Sequence, residues 1–376
     1  MNKLSWKLYL LVAAWVVSAC VSAVAQQYLY TNDNIASGNS TTALSTNQYG
    51  AISVLKSYST GGNGSGEGSY YGSQAIVAAQ TSANWCLFVS NNGSSTIAAF
   101  QINVQNGHLT AVSGSPFSDG ESGDQAEGIS LAQGKGELLF AGNSRFKNIS
   151  VMKVASNCSL TFLNTVALSY SPVDLKVTPN NSHLIASYLG PVDAFKINYS
   201  TNQITEQGPF EAQGATAGID IDCNSEYIFF GDAAATTQVE VFNLTNGVLS
   251  EIDNFTDTQG ENSNNVLLSS DQNKLYVTGN QSNQISVLAV SNSGNLSFSH
   301  IYGLRDPGSY ALGLATSESG GQLFVSEVNK MESVGAFATR YKTLSELRNS
   351  PYSIVNNDRA FGGLVAVPTY SCPAKP

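Results

Sequence analysis

Positive charge is what this chain has least of. Among 376 residues there are 17 lysines and arginines against 27 acids, giving a formal net charge of −10 with only 12% of residues charged. No basic stripe can form to neutralise a run of phosphates, which excludes nucleic acid as a partner and disfavours an anionic membrane surface. Histidine is nearly absent: His108, His183 and His300 are the full complement, and no HExxH pair or GxSxG elbow occurs, which removes zinc-protease and serine-triad chemistry. Cysteine is sparse, with five residues and no CxxC spacing, so a thiol or zinc centre is not expected.

Long apolar runs are missing too, apart from one at the amino terminus. There Lys3 and Lys7 precede an apolar stretch from Leu8 to Val17, and Ala23-Val24-Ala25 offers a small-residue cleavage site before Gln26. Residues 1–25 are expected to be a signal peptide, leaving 26–376 as the mature chain, exported to a periplasmic or extracellular space. Val17-Ser18-Ala19-Cys20 also fits a lipoprotein box, which would anchor the product through Cys20. The apolar stretch is too short to span a bilayer. The remaining Cys86, Cys158, Cys223 and Cys372 make an even set, compatible with two disulfides in an oxidising compartment. Three pairings remain open, and so do free buried thiols.

What is abundant is Asn, Ser, Thr, Gln and Gly, the composition of short strands and tight turns. On this background an apolar strand recurs: Tyr28 (YLYTN), Leu87 (LFVSN), Leu139 (LFAGN), Leu184 (LIASY), Ile228 (IFFGD), Leu275 (LYVTG) and Leu323 (LFVSE). The gaps of 59, 52, 45, 44, 47 and 48 residues match one four-stranded propeller blade. Seven copies imply an all-β, seven-bladed propeller forming one domain, expected to be a monomer. Inner strands are expected at 74–79, 128–132, 173–177, 218–222, 265–269 and 312–315. The seventh, Gly363 to Val367, comes at the end of the chain, so both termini should complete one blade and close the ring. Ser59 to Gly68 is a Gly- and Ser-rich loop with no helix after it to make a phosphate cradle, and Tyr70-Tyr71 beside it could stack on a sugar ring or pack over a blade edge.

The strand motifs LFVSN and LYVTGN, the turn VTPNN and the outer segment LTAVSGSPF resemble the seven-bladed lactonase-like propellers, the family named for propeller-type 6-phosphogluconolactonase. The similarity spans residues 28–367 and implies hydrolysis of a carbohydrate lactone. In the enzymes of that family a Pro-His pair, a Pro-Asp-Gly turn and an Asp-Leu-Gly strand end mark the middle blade. This chain has Pro172-Val173, Pro179-Asn180-Asn181 and Tyr188-Leu189-Gly190 there, so Val173 and Tyr188 replace the two proton-moving groups.

The loops at one channel mouth contribute Glu127, Asn143, Arg145, Asp174, Asp232, Asn264, Asn265, Tyr310, Glu327 and Arg359. Oxygen ligands dominate, suiting a sugar-like ligand or a hard cation such as calcium; no other cofactor is implied. The two arginines can grip a carboxylate. Binding of a sugar-like molecule, surface glycan or protein is the favoured function, lactone hydrolysis the alternative, and a structural surface role the third.

Overall fold

The computed structural model describes residues 26–66, 75–122, 129–233, 237–257, 263–279, 282–328, 332–339, 344–354, 363–370 and 372. The expected signal peptide, Cys20, and Tyr70-Tyr71 lie outside these.

Seven antiparallel sheets form, one per repeat. Blade 1 runs from the axis outwards as Gly363–Val367, Gln27–Asn32, Ser40–Thr46 and Ile52–Ser59. Its inner strand therefore comes from the end of the chain and its other three from the beginning. Tyr28 stands opposite Val367 and Asn32 opposite Gly363, so each terminal segment supplies the hydrogen-bond partners that the other would leave exposed. The inner strands of blades 2 to 7 are Ile76–Gln80, Ile129–Gly134, Asp174–Val177, Thr216–Ile221, Asn265–Leu268 and Tyr310–Thr316. Each touches the next, and that of blade 7 touches that of blade 1, so the ring is closed.

Alternation along the second strand of each blade distributes side chains between two neighbours. Leu87, Leu139, Leu184, Ile228, Leu275 and Leu323 each pack toward the preceding blade. In blade 1 the residue that does so is Leu29, which packs with Phe324 of blade 7, while Tyr28 faces blade 2. The first motif is thus LYTND, beginning one residue later than the apolar pattern suggests. In a period-two strand a one-residue slip exchanges the faces.

Blades 2 and 7 have a split outer edge, formed by Leu109–Ala111 with Phe117–Ser118 and by Ser345–Glu346 with Tyr352–Ser353. Proline interrupts both because it has no N–H for the ladder. At the interruption the preceding serine supplies an acceptor to the neighbouring strand: Ala99 N–H donates to Ser115 Oγ and Ala336 N–H to Ser350 Oγ, each at 2.9 Å.

All four cysteines outside the amino-terminal segment are paired, Cys86 with Cys158 and Cys223 with Cys372. The first joins blade 2 to the outer turn of blade 3. The second ties the carboxyl-terminal segment to the turn after the inner strand of blade 5.

Candidate functional site

Each inner strand starts at what we term the upper end of the channel and finishes at the lower end, where it turns into the second strand. The residues expected to form a site belong to the upper end, and the structure commits most of those it describes to bonds or packing within a blade or between neighbouring blades. Asn143 is buried and donates from Nδ2 to Asn148 Oδ1 and Ser150 Oγ, both at 2.8 Å. Asp174 is fully buried; its oxygens accept from its neighbour Leu175 N and from Ile219 N of blade 5, each at 2.9 Å. Burial outweighs those bonds and pushes its carboxyl up to about 7. Asp232 accepts from Ala215 N at 2.8 Å and is also raised by burial. The Asn264 carbonyl receives Gly218 N–H at 2.6 Å, and Asn265 Nδ2 donates to the Leu312 carbonyl at 3.3 Å. Tyr310 packs against the core between blades 7 and 1. Arg145 is exposed, its guanidinium 5.8 Å from the Phe146 ring centre. Glu127 and Arg359 lie outside the described residues.

Glu327 is of another kind. It is completely buried, neither carboxyl oxygen has a hydrogen-bond partner among the described residues, and burial followed by the fields of Glu346 and Asp306 pushes it up to about 8, against the pull of Arg305. It occupies the junction between blades 6 and 7 rather than the channel wall. Among the described residues no three His, Cys, Asp or Glu side chains are grouped to hold a metal ion. The histidines are also outside the channel: His108 bonds to Tyr58 at 2.9 Å, His183 to Ser182 at 2.8 Å, and His300 packs on Tyr302.

The cavity within the channel lies lower, toward the ends of the inner strands, with a volume of about 330 Å³. Its walls mix aliphatic and polar surface, the inner strands contributing Ala78, Leu131, Leu175 and Leu267 to the aliphatic part. Into this surface project Lys176 of blade 4 and Asp220 of blade 5, with Nζ and Oδ1 3.1 Å apart. Asp220 is fixed by two further bonds, from Ile221 N at 2.9 Å and from Leu268 N of blade 6 at 2.6 Å. Asp174 and Asp220 thus repeat one device, a carboxylate on one inner strand accepting a backbone N–H from the next. Burial works against the charge on Lys176, but the fields of Asp220 and Asp174 outweigh it and hold the lysine above its ordinary value. The ammonium is therefore charged and unsuited to nucleophilic attack. Gln133, Gln272 and Thr316 add hydrogen-bonding groups to the wall.

The expected site set omitted both Lys176 and Asp220. A signal existed: each is a charged residue inside an inner strand, DLKV and GIDI, of a chain with few charges. What the sequence lacks is the alignment of blades 4 and 5 that brings the two together.

Comparison with solved structures gives many matches to this architecture. A putative 6-phosphogluconolactonase from Bacteroides fragilis superposes with a TM-score of 0.73 at 14% identity, covering 92% of this chain and 99% of its own. The periplasmic gluconolactonase PpgL of Pseudomonas aeruginosa also gives 0.73, at 15% identity over 93% and 99%. A Lactobacillus plantarum protein gives 0.70 at 17% identity over 91% and 99%. No protein-family sequence model matches the chain, and no curated protein sequence does. At such identities the likeness is one of fold: the described residues form the same closed seven-bladed propeller architecture as these structures.

Proposed function

We propose that this protein is an exported propeller that binds a small, neutral, hydroxyl-rich molecule of the sugar or sugar-lactone class in the channel cavity. The observation that carries this reading is the Lys176–Asp220 pair set among aliphatic and neutral polar side chains in a cavity of about 330 Å³. An ammonium donor and a carboxylate acceptor 3.1 Å apart match a pair of neighbouring hydroxyls, and the surrounding Leu and Ala side chains match the C–H faces of a sugar ring. Neutrality of the ligand follows from charge. Lys176 already has two carboxylates in its field and the molecule carries −10, so a phosphorylated sugar would meet no uncommitted cation among the described residues of this wall. Two disulfides support an oxidising compartment.

Hydrolysis of a bound lactone is the second reading, favoured by the fold shared with proteins named for gluconolactone chemistry. It requires a base for water and a donor for the developing oxyanion. Lys176 could serve as the donor, whereas Asp220 is committed to two backbone N–H groups.

Titration calorimetry with D-glucono-1,5-lactone, D-gluconate and the 6-phosphorylated lactone tests the binding. The neutral lactone is expected to bind at least about tenfold more tightly than the phosphorylated one, and Lys176→Met with Asp220→Leu to abolish binding without orphaning either charge. Equal or tighter binding of the phosphorylated compound overturns the assignment of ligand class. Loss of binding in Arg145→Ala with Arg359→Ala, but not in the channel double variant, moves the site to the upper mouth. A pH-stat assay above the spontaneous rate, with calcium and with chelator, decides the hydrolytic reading.

A further inference from the structure

After the inner strand of blade 1 the chain does not leave the molecule. Pro368 is held where it exits, its carbonyl accepting Gln27 Nε2 at 2.9 Å, while Gln27 Oε1 accepts Glu318 N–H from the turn of blade 7 at 2.8 Å. Two residues later the Tyr370 hydroxyl donates to the Ser270 carbonyl of blade 6 at 2.7 Å, and two further on Cys372 is bonded to Cys223 of blade 5. Blades 1 and 5 are three apart around a ring of seven, the largest separation such a ring has. The connection is short, five residues reaching roughly 17 Å at full extension. Thr369, Tyr370 and Cys372 line the cavity itself. The receiving turns are also knitted to each other, because Cys223 N–H donates to Gln272 Oε1 at 2.9 Å and Gln272 is another lining residue.

We infer that Pro368, Thr369, Tyr370 and Cys372 belong to a covalently stapled strap that floors the ligand cavity at its lower end while the Cys223–Cys372 bond is intact. This rests on the cavity being the ligand site. A dithiol that passes two electrons and two protons to the Cys223–Cys372 bond, leaving as its own disulfide, yields two thiols and a strap that keeps, among the described residues, the hydrogen bonds of the Pro368 carbonyl and the Tyr370 hydroxyl. The cavity then loses a wall. Linkage requires the converse as well: a ligand that needs the wall protects the bond from reduction.

The test is hydrogen exchange by mass spectrometry on the mature chain and on Cys223→Ser with Cys372→Ser, which leaves Cys86–Cys158 in place. Amides of 369–372 are expected to exchange at least about tenfold faster in the variant, with those of 363–367 changed less than about twofold. Affinity for D-glucono-1,5-lactone should fall at least about tenfold. Unchanged exchange of 369–372 overturns the strap whatever the ligand result. If the native protein binds no lactone, the functional reading fails while the exchange result still judges the strap. Release of the strap with lactone affinity intact would falsify its role as a cavity wall. Should the double variant fail to fold, Tyr370→Phe, which keeps the disulfide, is expected to speed exchange of 369–372 about threefold; no change there overturns the proposal.

Discussion

Glu327 shows what burial does to one residue. An ionised carboxylate with no partner inside a protein is costly, so the native state keeps its proton up to a pH of about 8, whereas the unfolded chain releases it near 4.5. Between those values the folded form binds more protons than the unfolded one, and stability falls as pH rises. Glu327→Gln removes the titration while keeping shape and volume. The variant is expected to be more stable than the native protein at pH 8 by on the order of 1–3 kcal/mol, with little difference at pH 4, as read from urea midpoints at both. Equal midpoints at pH 8 would show that the carboxylate has compensation in the native state.

At the scale of the strand, the small or amide residue near the end of a recurring motif ties into an inner strand, that of its own blade at Ser90 and Ser326 and that of the next blade in blades 1, 4 and 6. Asn32 donates to the Ala75 carbonyl at 3.2 Å, Ser187 to Ala217 at 2.5 Å and Thr278 to Leu312 at 2.6 Å. Where the backbones approach still more closely only glycine fits: a Cβ on Gly231 would lie 2.0 Å from the Ser263 carbonyl oxygen. Gly231→Ala is therefore expected to cost about 1–3 kcal/mol by overpacking, and Ser187→Ala about 1 kcal/mol by leaving a buried carbonyl short of a donor. Denaturant unfolding of the two variants checks both, and a neutral Gly231→Ala would mean the blades can part at no cost. The recurrence itself was legible in the sequence. Its purpose was not, because the acceptor belongs to another repeat.

Over the whole molecule two consequences add up. Burial raises Asp119 to about 6, Asp174 and Glu240 to about 7 and Glu327 to about 8, and raises Asp193 as well. All act in the same direction, so Tm is expected to be highest near pH 5 and to drop through the window from 5 to 8 as these groups lose protons. A Tm that rises over that window contradicts the raised values. Closure is the second consequence. Deleting residues 363–376 exposes the edge of Gln27–Asn32 and removes the strap and its disulfide, and the product is expected to aggregate or unfold at 37 °C. A circular permutant with new ends in the Asn246-Gly247 turn should keep the fold, by circular dichroism and elution volume, since there the ring closes through an unbroken blade 1.

The sequence by itself determined the number of blades, the alternation of apolar and polar positions and the mixed blade at the termini, since all of these follow from local periodicity and from which strand lacks a neighbour. It located six of the seven motifs in register and misplaced the first by a residue, because Tyr28 and Leu29 are both apolar and only packing against Phe324 tells them apart. Pairing among the four cysteines, the commitment of Asp174 and Asp232 to backbone N–H groups and the meeting of Lys176 with Asp220 were decided by the tertiary structure alone. Each joins different blades, or a blade to the loop that leads into it, and a repeat read along the chain carries its own strands but not the angle at which the next one arrives.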